Sequence, residues 1–212
     1  MRSPYAERET ERLIEAMLPD VAFDGWTRHA LRNAARRAEI PVGEAMALFP
    51  RGAPDLIAGF SHWADRRMLE RLEAAAVENL SLSRRIALAL HLRFEVLAPW
   101  REAMRRGLSV LAMPPNAALG LRLLHDTVDA VWHGVGDNAT DFSFYTKRAT
   151  LAGIYAAALL YWLDDRSPDF TDTQEFIERR LVDLHRLTGL RERLASAAQR
   201  LPNPLRQLRP SR

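Results

Sequence analysis

Ala30-Leu31-Arg32-Asn33-Ala34-Ala35-Arg36-Arg37-Ala38-Glu39-Ile40-Pro41-Val42-Gly43-Glu44-Ala45-Met46-Ala47-Leu48-Phe49 reads as a helix, a tight connection and a second helix. Ala30, Leu31, Ala34, Ala35 and Ala38 recur at three-four spacing and share one apolar face. Ile40-Pro41-Val42-Gly43 breaks the run, since a proline lacks the amide donor and its ring clashes with the preceding turn. Ala45, Leu48 and Phe49 then resume it. Upstream, Leu13, Ile14, Ala16, Met17 and Leu18 form an earlier face of the same kind. Three short helices before a longer one is the layout of a helix-turn-helix module.

The three-four spacing continues along nearly the whole chain, and no alternating Val/Ile/Thr segment of useful length interrupts it, so the expected fold class is all-α. Helices are predicted over 5–18, 27–38, 42–48, 54–78, 82–97, 99–112, 115–134, 141–164, 172–187 and 190–201, some nine to ten in all. Pro19, Gly25, Pro41, Pro50, Pro99, Pro114-Pro115-Asn116, Gly134 to Asn138 and Ser167-Pro168-Asp169 fall between them as breakers. We expect three parts: a helix-turn-helix over 1–50, a helical bundle over 51–189 and a basic amphipathic tail over 190–212.

The 212 residues are 48% hydrophobic and 27% charged, enough to bury a core and unlike a disordered chain. No cysteine is present, which excludes disulfides, thiolate metal sites and cysteine nucleophiles. The first nine residues reach charge before any apolar stretch, so no secretory segment is expected there. The longest apolar run, Leu151 to Leu163, is too short for the roughly 20 residues a membrane span needs. These features point to the cytoplasm. The formal net charge is +3, and Lys147 is the only lysine, so the positive charge is almost all arginine.

The amino-terminal layout resembles the first domain of TetR-type regulators, including the Gly25-Trp26 turn and the passage from Leu48-Phe49-Pro50 to Asp55-Leu56. A DNA reader needs donors on its third helix, and Val42 to Phe49 carries no Arg, Lys, Asn, Gln, Ser or Tyr. DNA is therefore not an expected partner, and the motif reads as vestigial. Arg28, Arg32, Arg36 and Arg37 suit a solvated face.

Two blocks lie further on: Gly136-Asp137-Asn138-Ala139-Thr140-Asp141-Phe142-Ser143-Phe144-Tyr145-Thr146-Lys147-Arg148 and Asp165-Arg166-Ser167-Pro168-Asp169-Phe170-Thr171-Asp172-Thr173. Together they resemble the ubiquinone-biosynthesis accessory family, the Coq-nine type of lipid-binding protein, itself on a TetR-like fold. The likeness runs over roughly residues 8 to 187. It implies a protein that is not an enzyme, binds an isoprenoid lipid or ubiquinone intermediate at a membrane surface, and presents it to demethoxyubiquinone hydroxylase. It also implies peripheral association with the inner membrane, and the TetR resemblance implies a homodimer through the last helices. On the matching positions, Val131, Trp132, Phe144, Tyr145 and Arg148 correspond to the partner-binding patch. The family usually has Trp where this chain has Phe144, so the aromatic anchor stays and the indole donor is lost. From the residues alone, Asp141 is equally a helix N-cap and Phe142 and Tyr145 equally core aromatics.

Helix 141–164 is apolar nearly all round, which predicts a central place in the bundle. Its small residues leave either close packing or a cavity. Leu88, Leu92, Val96, Leu121, Leu124, Val128, Ala152, Tyr155, Leu159 and Trp162 are the candidate lipid-lining residues. In the tail, Leu190, Leu194 and Leu201 share a face flanked by Arg193 and Arg200, a pattern suited to an anionic membrane surface. The six histidines form no Glu-x-x-His or His-x-x-x-His pair, and no phosphate loop or nucleophile elbow occurs, so neither metal nor cofactor is expected. Asp164-Asp165 and Asp169-x-x-Asp172 read as caps before they read as a cation site. The competing reading is a TetR-type regulator that senses a lipid or acyl ligand.

Overall fold

The computed structural model describes residues 4–75, 77, 79–136 and 143–182. Its helices are α1 (Pro4–Asp24), α2 (Arg28–Arg37), α3 (Val42–Leu48), α4 (Ala53–Ala74), α5 (Leu82–Leu97), α6 (Arg101–Leu111), α7 (Ala117–Gly134), α8 (Ser143–Asp164) and α9 (171–182), with no strand among the described residues. The chain is all-α, as its periodicity requires. The helix expected over 190–201 lies outside the described residues.

α1 departs most from expectation, because it runs through Pro19 to Asp24 instead of stopping at residue 18. Pro19 sits on the solvent side, while Leu13, Ile14, Met17, Leu18 and Val21 bury one continuous stripe. Packing of Val21 in the next turn offsets the amide that proline removes. Gly25, at φ +68, ends the helix, its amide donating to the Val21 carbonyl at 3.0 Å. Trp26 then donates its indole N–H to the Ala103 carbonyl at 3.0 Å, pinning the helix-turn-helix to α6. Thr27 caps α2 by accepting from the Ala30 amide.

α4 is the spine, packed against α1, α5, α6 and α7. Glu15 of α1 receives the Trp63 indole at 2.9 Å and the Arg67 guanidinium, and these bonds hold its carboxyl below the ordinary value even though burial works the other way. α7 closes on α4 through Gly134, where a Cβ would stand 2.6 Å from a Leu69 methyl. One hydrophobic core continues from Leu13 to Leu181.

α8 is not central. Leu151, Ile154, Tyr155, Ala158, Leu159 and Trp162 face the core, but Ala149, Gly153, Ala157, Leu160 and Tyr161 are exposed. An apolar helix can lie at the surface when something covers it, so uniform apolarity did not fix its depth.

Candidate functional site

A cavity of about 550 Å³ lies between α4, α5, α6, α7 and α8. Its wall is apolar: Ile57 and Phe60 from α4, Met104, Leu108 and Leu111 from α6, Leu121, Leu123 and Leu124 from α7, and Leu159 and Leu160 from α8. Gly107, Gly120, Ala117 and Ala156 keep it open by filling little space. Leu121 and Leu160, 70% and 62% exposed, mark where it meets solvent. A volume of this size falls within the roughly 300–1,000 Å³ of small-ligand sites.

Four polar side chains also line the cavity: Ser61, Arg93, Thr127 and Tyr155. Arg93 is 1% exposed. Its Nε donates to Asp65 Oδ1 at 2.8 Å, one terminal nitrogen to the Tyr155 hydroxyl at 2.5 Å, and the other to the Ser61 and Thr127 hydroxyls at 3.3 and 3.2 Å. Thr127 in turn donates to Asp65 Oδ2 at 3.2 Å. A guanidinium fully removed from water needs a counter-charge and filled hydrogen bonds, and this cluster supplies both. Burial works against the charge on Arg93, but Tyr155 and Asp65 outweigh it, so its pKa stays above the ordinary value. Burial also pushes the Tyr155 hydroxyl up to about 12, so it remains protonated at neutral pH.

Of the expected lining residues, Leu121, Leu124, Tyr155 and Leu159 line this cavity. Leu88 lines a different cleft with His91 and Leu181. Leu92, Val96, Val128, Ala152 and Trp162 pack in or against the core without reaching the cavity. Trp162 shows why: its ring stacks on Phe94 at 5.3 Å, with Arg101 4.8 Å above it. The three-four spacing gives a helix face but not which neighbour fills it. Arg93, Ser61 and Thr127 were missed, although each is a polar residue set among apolar ones on the buried stripe of its helix.

Two members of the expected partner patch lie inside the fold. Val131 and Trp132 are 0% and 3% exposed, because on α7 they continue the inward face of Leu123, Thr127 and Val128. Lys147 lies 5.9 Å over the Trp132 ring, and Arg148 binds Asp129 through Nε and Nη2 at 3.0 and 2.9 Å. Phe144 and Tyr145 fall in the first turn of α8, and their side chains lie outside the described residues, as do residues 137–142 and the membrane-contact set Leu190, Arg193, Leu194, Arg200 and Leu201.

The second sequence block forms a cap. Asp165, buried, accepts from the Ser167 amide and hydroxyl at 2.8 and 2.6 Å and from the Thr173 amide and hydroxyl at 2.9 and 2.5 Å. Burial would raise its carboxyl, but these bonds prevail and hold it below the ordinary value. Among the described residues no His/Cys/Asp/Glu group is arranged to hold a metal, and no helix is long and apolar enough to cross a membrane.

Residues 117–188 match the COQ9 family model. The human mitochondrial ubiquinone biosynthesis protein COQ9 is 32% identical over 202 residues, which cover 92% of this chain and 63% of the human one. Mitochondrial COQ9-B of Xenopus laevis is 32% identical, with 91% of this chain and 68% of the relative covered. The chain thus spans about two thirds of the length of these relatives. Among solved structures, a TetR transcriptional regulator from Nitrosomonas europaea superposes with a TM-score of 0.65 at 22% identity, covering 82% of this chain and 97% of that one. On a TetR-like helical fold, and with this similarity running along nearly its full length, the chain belongs to the COQ9 family of ubiquinone biosynthesis proteins.

Proposed function

We propose that this chain is a non-enzymatic lipid-binding protein of ubiquinone biosynthesis. It takes an isoprenoid quinone intermediate from a membrane surface and presents it to demethoxyubiquinone hydroxylase. The observation that carries this reading is the apolar cavity with its exposed mouth at Leu121 and Leu160, in a chain whose relatives are named for ubiquinone biosynthesis. A long apolar ligand gains roughly 25 cal/mol for each Å² of surface it buries there. The basic tail supplies the membrane contact in this reading, and the exposed small residues Ala149, Gly153 and Ala157 of α8 supply a face for a second copy.

Native mass spectrometry with lipid extraction on the purified chain tests it. A co-purifying polyprenyl quinone is the expected result; an empty protein that shifts promoter DNA would make it a regulator. Arg148→Glu should weaken capture of the hydroxylase with helicity unchanged, and equal capture removes Arg148 from the partner surface. Deleting residues after Gly189 should reduce flotation with anionic liposomes.

A further inference from the structure

We infer that the inner end of the cavity is a head-group site that selects neutral amphiphiles carrying oxygen acceptors (carbonyl, ester or ether) over those carrying a carboxylate. The inference rests on the lipid-cavity reading above and adds the chemistry by which one end of the ligand is recognised.

Three observations carry it. First, polarity is confined to one place: the polar lining residues Ser61, Arg93, Thr127 and Tyr155 all belong to one hydrogen-bonded cluster, and the rest of the wall is apolar. Second, every residue of this cluster that lines the cavity carries a donor. Asp65, its one acid, stands behind Arg93 and does not line the space. Thr127 spends its proton on Asp65, whereas Ser61 and Tyr155 each accept from Arg93 and find no acceptor in the cluster for their own hydroxyl protons. Buried donors are satisfied in folded proteins, so an incoming acceptor oxygen meets two that are waiting. Third, the charges already balance. Asp65 neutralises Arg93 at 2.8 Å, so a ligand carboxylate would add an unpaired negative charge to a water-poor site, while a neutral oxygen would not. The chain of such a ligand leaves past Leu121 and Leu160.

The test titrates the full chain with three probes of similar tail: decylubiquinone, dodecanoate and decylbenzene. The unmodified protein should bind decylubiquinone at least tenfold more tightly than either of the others. The Ser61→Ala/Tyr155→Phe double variant should lose about tenfold for decylubiquinone for each hydroxyl removed and keep its affinity for decylbenzene. Equal binding of dodecanoate or decylbenzene by the unmodified protein overturns the proposal without any variant. So does a double variant that binds decylubiquinone unchanged, or one that loses all probes alike, which marks the hydroxyls as structural. If no probe binds the unmodified protein, the lipid-cavity reading fails and this one falls with it.

Discussion

Asp65 and Asp165 are both buried acids, and the company each keeps is opposite in kind. The Asp165 carboxylate draws all its bonds from one short loop and the turn after it, with the Ser167 and Thr173 amides and hydroxyls filling both oxygens. Asp65 is met by a full charge from another helix, within a cluster spread over α4, α5, α7 and α8 that shows its remaining donors to a cavity. A polar group closed on local partners holds the chain; one closed on distant partners, with donors to spare, readies a space. Asp165 serves as a cap and Asp65 as a support for Arg93.

The largest expected effect follows from charge. Asp65→Ala leaves Arg93 buried without a counter-ion and should cost about 3–5 kcal/mol of stability in urea unfolding. Removing both partners as Asp65→Leu/Arg93→Met should restore most of that loss, since the desolvation of each ion disappears with it. A double variant as unstable as the single one would mean that packing, and not charge, dominates at this point, and the contrast with Asp165 would collapse.

Asp165→Ala comes next, at about 2 kcal/mol, through loss of charge-assisted bonds at the start of α9. Its sign with pH is fixed by the lowered pKa. The contribution is complete above the ordinary carboxylate range and fades as the pH drops through the folded value below it. The unmodified protein should therefore lose more stability on acidification than the Asp165→Ala variant does, measured as the difference between their unfolding midpoints. Parallel pH curves would show that Asp165 is not the titrating cap.

The same contrast explains what could be read in the sequence. The boundaries of α2 and α3 were legible because each is written locally: α2 lies between the Gly25-Trp26 turn and Pro41, and α3 fills the spacing between Pro41 and Phe49. The Asp165 block was legible as a motif for the same reason, since every partner of its carboxylate lies within nine residues in the chain. Arg93 lies 28 residues from Asp65 and 62 from Tyr155, and no local pattern joins them. The signal that existed was weaker: Ser61, Arg93 and Thr127 are polar residues set on the apolar stripes of three helices, and such positions need partners across the core. Depth was the other loss. The family pattern puts Val131 and Trp132 in a partner patch without giving their depth, and α7 turns them inward with Val128. Pro19 read as a stop, yet it faces solvent on a helix whose other side is buried through Val21.

The smallest effects discriminate best, because two serines hold equivalent places in the two clusters. Ser167 donates to Asp165 at 2.6 Å and accepts the Asp172 amide at 3.0 Å, so Ser167→Ala removes two bonds that order the chain and should cost about 1–2 kcal/mol. Ser61 accepts one long bond of 3.3 Å from Arg93, whose same nitrogen also reaches Thr127, so Ser61→Ala leaves the guanidinium held and should cost under about 0.5 kcal/mol. Urea midpoints for the two variants in one buffer give the comparison directly. A Ser61→Ala variant as destabilised as Ser167→Ala would make the Arg93 cluster a structural tie like the cap. A near-silent one leaves its hydroxyl to the cavity, where a ligand and not the fold registers its loss.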